Sequence, residues 1–408
     1  MIWALSSGAA GAADLGGNCC ADLEERVAEL EATTARKGNR KVSLTVSGHV
    51  HEAAMFFDVD GKGDDKDAVG KATESNVYIG THNSSRSRFR FRGDAQINAD
   101  WSAGFFMEIG MRRVALNSTS QSSPGPSGDL DIRHEALYVK SKTLGTFWFG
   151  WTGSAIEGIT EICVGCVLGN GTPDYSVYVG NLFAGNGERF RVHGTASGFF
   201  PGEGDRRNMI KWISPSLAGF SVSASWGGDD FWDAALRYAG EFGSIRLAGG
   251  IGYSLDTDSI DPAGISAIGC SGSKAGSDRA CSTLGGSASM MHVPTGLYVR
   301  GSYGQNTDEN VTGDQDKDIG WEVTAGIDAK INSLGKTNFW GAYGVTERKI
   351  GLDAGQTGEL TMWGVGINQK IDAAAMDVYI WYRNYSAELV NQDTGDATVI
   401  TAGARIRF

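Results

Sequence analysis

From Lys41 to Phe408 polar and apolar residues alternate at every second position, segment after segment, and no run of about 18 apolar residues occurs. Alternation of this kind demands strands, whose successive side chains point to opposite faces. The lack of a long apolar run excludes a membrane-crossing helix but not a barrel, because alternating strands average to a polar hydropathy. The stretch SSRSRFRFRGDAQIN, residues 84–98, shows the pattern most sharply. On a helix its arginines would scatter around the axis. On a strand Arg86, Arg88, Arg90 and Arg92 share one face with Asp94, Gln96 and Asn98, opposite Phe89, Phe91, Ala95 and Ile97.

The same separation recurs along the chain. KVSLTVSGHV sets Val42, Leu44, Val46, Gly48 and Val50 against Ser43, Thr45, Ser47 and His49. WSAGFFMEIGMRR separates Ala103, Phe105, Met107 and Ile109 from Ser102, Gly104, Glu108 and Arg112. The terminal VITAGARIRF places Ile400, Ala402, Ala404, Ile406 and Phe408 opposite Thr401, Arg405 and Arg407, whereas IRHEALYVK (132–140) is ambiguous by period alone. About sixteen strands are expected, near 41–58, 84–98, 101–113, 129–142, 144–156, 207–215, 217–227 and 230–242, then 243–256, 282–292, 296–307, 319–331, 336–349, 359–371, 374–388 and 396–408. Tight connections such as KTLGT, EFGS and NSLGK alternate with long Gly/Asp/Ser-rich ones, the longest at 157–206.

An even strand count with short turns at one edge and long loops at the other describes an all-β, 16-stranded antiparallel transmembrane β-barrel. In hydrocarbon an open edge would leave backbone groups unpaired, so the sheet must close. Sixteen strands enclose a wet lumen rather than a packed interior. Phe89 and Phe91 are then expected to face lipid and the arginines to face water.

Charge and cysteines narrow the partners. A net charge of −12 and the lack of basic tracts argue against nucleic acid. The six cysteines fall in close pairs: Cys19/Cys20, Cys163/Cys166 and Cys270/Cys281. A local disulfide is expected for Cys270–Cys281, across a Gly/Ser-rich loop. Cys163 and Cys166 are a second disulfide candidate, although a two-residue gap strains a bridge. Zinc is not expected, since only one CxxC is present, and His49 with His51 lacks further ligands. No nucleophile, base and orienting group stand together, so no catalytic residues and no cofactor are assigned.

The opening MIWALSSGAAGAADLGG reads as the remnant of a secretory signal over 1–12, with small-x-small Ala10-Gly11-Ala12 before a mature terminus at Ala13. Residues 13–40 form a periplasmic segment whose Leu23, Val27, Leu30 and Thr34 fit either a short coiled-coil helix or a solvated linker. Residues 41–408 are the barrel, with 157–206 as its constriction loop.

NCCADLEERVAELEATTARKGNRKVSLTVSG, SSRSRFRFRGDAQI, PTGLYV and the AGARIRF end resemble the alphaproteobacterial, rhizobial-type outer-membrane porins. The resemblance covers the mature chain and implies a homotrimer whose long third loop folds inward. It further implies a general diffusion pore in the Gram-negative outer membrane, among lipid and lipopolysaccharide, passing small hydrophilic solutes and ions. On that reading Arg86, Arg88, Arg90, Arg92, Arg112, Arg405 and Arg407 line the pore. Glu157, Glu161 and Asp174, with Glu188, are the loop acids opposing them across a transverse field. The arginines could equally serve only to keep the lumen solvated. Phe408 resembles the signal read by the barrel-assembly machinery, and Ala13 a site of attachment to peptidoglycan. A substrate-selective channel with an arginine-lined site is the alternative, and an outer-membrane enzyme or adhesin is disfavoured.

Overall fold

The alternating segments close on themselves in the computed structural model. It describes residues 41–60, 75–121, 123–125, 127–179, 182–185, 188–190, 200–228, 230–257, 280–309, 316–350, 357–389 and 394–408. The signal remnant and helix at 1–40, with Ala13, Cys19 and Cys20, and also Cys270, lie outside the described residues. The first wall runs β1 (Ser43–Val59), β2 (Ser75–Gly80), β3 (Arg88–Gln96), β4 (Trp101–Val114), β5 (Ser127–Ser141) and β6 (Gly145–Gly153). The next loop carries one helical turn, α1 (Ser176–Val179), and the short hairpin β7 (Phe183–Gly185) and β8 (Glu188–Arg189). The wall resumes with β9 (Arg206–Ile213), β10 (Phe220–Gly227), β11 (Phe231–Phe242), β12 (Ile245–Asp256), β13 (Cys281–His292) and β14 (Leu297–Asp308). It ends with β15 (Lys317–Ala329), β16 (Thr337–Arg348), β17 (Gly358–Ile371), β18 (Met376–Leu389) and β19 (Asp396–Arg407).

All wall pairings between these strands are antiparallel; β6 joins β9 across the long loop, and β19 returns to β1 with Ala404 opposite Glu52. Phe408 finishes the seam: its N–H donates to the Gly48 carbonyl at 3.1 Å, and Gly48 N–H returns a bond to the Phe408 carbonyl at 3.0 Å. No wall edge is left open, as hydrocarbon requires. Where a turn is shortest, Gly243 adopts φ 58°, which a glycine takes without a Cβ clash, and so β11 reverses into β12 within two residues.

The second of the sixteen wall positions departs from the sequence expectation. Instead of one strand over 84–98 it is shared by β2, which pairs with the far half of β1, and β3, which pairs with the near half. Between them the chain leaves the ladder in a 3₁₀ turn at Asn83–Ser85, so Arg86 is not a strand residue. Side chains replace the lost ladder bonds. His49 Nε2 donates to the Arg86 carbonyl (2.9 Å), His51 Nδ1 to the Ser85 carbonyl (2.8 Å), and Ser87 Oγ accepts from His51 N–H (2.9 Å). Alternation continued through the break because it records only which side a residue faces, not which strand it pairs with.

The outer surface is apolar: Val46, Val50, Ile79, Leu137, Ile210 and Val365 are exposed. Aromatic side chains gather in two bands. Trp226, Trp232, Tyr253, Trp321, Tyr343 and Trp363 lie toward the long-loop end, Phe220, Tyr238, Phe242 and Phe339 toward the short-turn end. Two such girdles mark the interfaces of a bilayer.

The inside corrects a second expectation. The inner faces are not polar throughout. Ala53, Met55, Phe57 and Val59 of β1, with Trp340, Leu360, Met362, Trp381, Tyr385 and Val399, form an apolar core inside the barrel against Tyr175, Val177, Tyr178 and Leu182 of the long loop. Burial against the loop removes these groups from water, so on this sector both strand faces are apolar for different reasons. Trp381, fully buried and stacked on Tyr379 at 3.9 Å, is with Trp340 one of its two tryptophans and the more deeply buried. Trp381→Ala should therefore lower the unfolding free energy by about 3–5 kcal/mol, read as a lower urea midpoint of the detergent-folded barrel. An unchanged midpoint would contradict a packed inner sector.

Candidate pore constriction

The loop of residues 154–205 enters the barrel and is fastened along one side of its inner wall. Ala155 N–H donates to Ser225 Oγ on β10 (3.2 Å), Ile162 N–H to Ser287 Oγ on β13 (3.0 Å), and Asn170 Nδ2 to Tyr298 Oη on β14 (2.7 Å). From the wall, Asn338 Nδ2 on β16 reaches the Gly165 carbonyl (3.0 Å) and Asn368 Nδ2 on β17 the Leu168 carbonyl (2.9 Å). Arg300 NH1 bonds the Gly171 carbonyl at 2.8 Å, and Arg383 bonds that of Gly169. Each anchor is a polar side chain on an inward position, which is why β10–β18 carry Ser, Asn and Arg there.

The returning arm lies so close to the wall that only glycine fits beneath it. Gly285 and Gly304 are cross-strand partners on β13 and β14. A Cβ on Gly285 would lie 1.8 Å from the Gly202 carbonyl oxygen, and one on Gly304 1.7 Å from that of Pro201. The loop also contains the Cys163–Cys166 disulfide, with Cα atoms 5.6 Å apart. Cys281 is disulfide-bonded as well, while its expected partner Cys270 lies outside the described residues.

Opposite the loop, on the inner face of β3–β6, stand the arginines. Arg88, Arg90 and Arg92 alternate along β3, and Arg86 reaches from the break to Asp131 on β5. Their common partner is Glu108 of β4, directly across from Arg90 and only 1 % exposed. Glu108 accepts from Arg88 NH1 at 3.0 Å, from Arg90 Nε, and from Arg133 Nε at 2.6 Å. One carboxylate thus holds three guanidiniums, an arrangement of charge-assisted bonds shielded from most water.

Arg133 reaches this cluster by a β-bulge. Glu108 faces His134, yet Ile109 faces Ile132, so Arg133 is an extra residue on β5. The bulge turns Arg133 and Asp131 inward while Ile132 and Leu130 remain outside. This explains why IRHEALYVK gave no clear period. Two further groups were not singled out from sequence: Arg206, at the start of β9, pairs with Glu157 at 2.6 Å, and its Nε lies 3.4 Å from His134 Nε2. Nothing in the pattern of GDRRN distinguishes Arg206 from Arg207, which instead pairs with Asp256 at 3.0 Å.

The remaining expected residues are distributed as follows. Arg112 is close enough to Arg86 for their charges to interact. Arg405 bonds Asp377 at 2.9 Å and Ser85 Oγ at 3.1 Å, and Arg407 pairs with the same Asp377, so both adjoin the ladder through β1. Arg92 pairs with Asp94 at 3.0 Å on the short-turn side. Among the loop acids, Glu157 meets Arg206, Glu161 is solvent-exposed within the barrel, and Asp174 is buried just before α1. The Glu188 side chain lies outside the described residues.

A loop carboxylate not singled out from sequence is Glu203. It accepts bonds from Gly158 N–H, Thr160 N–H (3.1 Å) and Thr160 Oγ1. Loss of surrounding water and the nearby Glu161 charge outweigh those bonds and push its carboxyl up to about 8. Because the neutral form persists below that pH and the anion forms above it, the lumen gains a negative charge as pH rises through about 8. Reversal potentials in a salt gradient should move toward cation preference between pH 7 and pH 9. Glu203→Gln should flatten that profile, and an unaltered profile in the variant would assign the titration elsewhere.

Removing Glu108 tests the cluster itself. Glu108→Gln leaves Arg88, Arg90 and Arg133 without their shared counter-charge and should destabilise the barrel by about 3–5 kcal/mol. Reversal potentials of channels that still assemble should shift toward anions, and a cation shift would place Glu108 outside the conducting field.

A sequence model described as Gram-negative porin matches residues 2–389. No curated protein sequence matches the chain. Solved structures of the same fold include an anion-selective porin from Comamonas acidovorans, at 15% identity and TM-score 0.57, over 90% of this chain and 100% of that one. The outer membrane channel DcaP of Acinetobacter baumannii aligns at 12% identity and TM-score 0.58, over 92% and 100%. OmpT, an outer membrane protein of Vibrio cholerae, aligns in its trimer form at 14% identity and TM-score 0.54, over 90% and 99%. At these identities the likeness is one of fold.

Proposed function

Since the chain belongs to the Gram-negative porin family and forms a diffusion channel of the outer membrane, we infer that it is a general diffusion pore for small hydrophilic solutes and ions, lined at its narrowest level by the arginines. The observation that carries this reading is the bare arginine wall of β3–β6 facing an inward loop fastened to the other side. Family and fold are those of a channel rather than an enzyme. Transport needs no coupling: the solute gradient drives it.

Passage between the two sides exposes a solute to guanidiniums on one flank and to Glu157 and Glu161 on the other. A transverse field of this kind favours polar, hydrated solutes over apolar ones. Around the opening, Arg86, Arg88, Arg90, Arg112, Arg133 and Arg206 outnumber Glu108, Asp131, Glu157 and Glu161, which supports a weak anion preference. Distant loop charges add little, being screened beyond about 8 Å at physiological salt.

The finer family assignment follows from the same residues: an alphaproteobacterial, rhizobial-type porin assembling as a homotrimer, for which the trimer form of the Vibrio OmpT is a precedent of fold. The seam bonds of Phe408 support its reading as the residue recognised by the barrel-assembly machinery, in a membrane containing lipopolysaccharide. Attachment of peptidoglycan at Ala13 would appear as a muropeptide on that residue in mass spectra of lysozyme-released protein; a free Ala13 amine would exclude it.

Single-channel recording in planar bilayers tests the central reading. The wild type should give open, ohmic steps with a mildly anion-selective reversal potential, and Arg88→Ser with Arg90→Ser should shift it toward cations. A double variant with unchanged reversal potential would remove those two arginines from the constriction.

A further inference from the structure

The inner wall carries a feature that the charge pattern does not require. Phe106 on β4, Tyr138 on β5 and Trp148 on β6 lie side by side on the inward face, beside the arginines. The Phe106 and Trp148 centroids are 6.5 Å apart at 83°, and the Tyr138 and Trp148 centroids 4.8 Å apart. Tyr138 and Trp148 are direct cross-strand partners, whereas Phe106 faces Ala136, and Ala136 faces Gly150. Phe106 also packs on the His134 ring, with centroids 5.2 Å apart.

Aromatic groups inside a barrel ordinarily serve to seat a loop, as Tyr178 and Trp381 do here. This patch is different. The loop anchors described above run to β10–β18, and Phe106 and Trp148 remain half-buried on the opposite wall. Apolar ring surface left toward water is unfavourable by itself, which is what makes a patch left half-buried by the described residues informative.

Cations ring the patch. Arg92 Cζ lies 5.2 Å from the Tyr138 centroid, and Lys211 Nζ 6.0 Å from that of Trp148. Arg90 engages Glu108 through Nε, and Arg92 engages Asp94 through Nε at 3.0 Å and NH2 at 3.5 Å, while their side chains stay 39% and 54% exposed. These bonds leave both terminal nitrogens of Arg90, and NH1 of Arg92, to donate charge-assisted bonds to a further carboxylate.

We propose that this patch is a subsite for small aromatic carboxylates in transit, the ring resting on Phe106 and Trp148 and the carboxylate held by the terminal fork of Arg90 with NH1 of Arg92. Ring stacking and charge pairing each contribute separately, so an aliphatic acid receives only the second and a neutral aromatic solute only the first. The proposal rests on the channel reading and adds to it a preference among solutes. Binding there would be weak and saturable, slowing a favoured solute within the pore while raising its local concentration.

Benzoate and cyclohexanecarboxylate, equal in charge and near in size, separate the ring term from the charge term. Added to potassium chloride across a bilayer holding the full-length protein, benzoate should reduce ionic current saturably, at about tenfold lower concentration than cyclohexanecarboxylate. Trp148→Leu should bring the two acids to similar potency, with Phe106→Leu as the second test should the first variant not assemble. Trp363→Leu, on the outer face, should leave the preference for benzoate intact. Equal potency of the two acids in the wild type, or an undiminished preference in the assembled inner-face variant, overturns the proposal while leaving diffusion untouched. A protein that inserts and carries no current overturns the channel reading, and this proposal with it.

Discussion

Hydrocarbon offers no partner to a backbone N–H or carbonyl, and the architecture follows from that single deficiency. A sheet in such a solvent can leave no edge, so β19 must find β1, and the final residue, Phe408, exchanges two backbone bonds with Gly48. Closure then makes two environments of the two strand faces. Apolar residues such as Val46 and Ile210 are acceptable outside because the solvent there is lipid, and Arg88 and Arg90 are acceptable inside because water fills what the side chains do not. The one interruption of the wall, between β2 and β3, is tolerated because His49, His51 and Ser87 supply the missing hydrogen bonds from the inner side.

Closure creates the lumen, and the loop decides its shape. A bare sixteen-stranded barrel would be symmetric in first approximation. Here one sector is filled by an apolar core and a row of polar anchors, while the sector from β3 to β6 receives none of the anchors described. The asymmetry has a chemical consequence: on the proposed reading, a solute passing through runs along the guanidinium wall. Glu108 keeps that wall from repelling itself by balancing three arginines at one point.

The apolar inner sector also explains how the long loop is held, although among its described residues regular structure is limited to α1 and the β7–β8 hairpin. Hydrogen bonds from serines and asparagines fix its path, and the Tyr175–Leu182 segment supplies the packing free energy that bonds exchanged with water do not. Glycines at 285 and 304 allow the backbone to approach the wall at contact distance, a case where the missing side chain is the functional element.

Strand existence, strand faces and closure were legible from the sequence, because a two-residue period is a local property that every segment carries by itself. The arginine face of β3 was legible for the same reason. What the period could not reveal was pairing. The β2–β3 break, the bulge that delivers Arg133 to Glu108, and the meeting of Arg206 with Glu157 all depend on which residue of one strand lies opposite which residue of another. The apolar inner sector was hidden in the same way: by period Met55 and Phe57 share the inward face of Ser47 and His49, and what covers them there is a loop from 120 residues away. Period fixes the side to which a group points; register, bulges and loop docking, which are relations between distant parts of the chain, fix what it meets there.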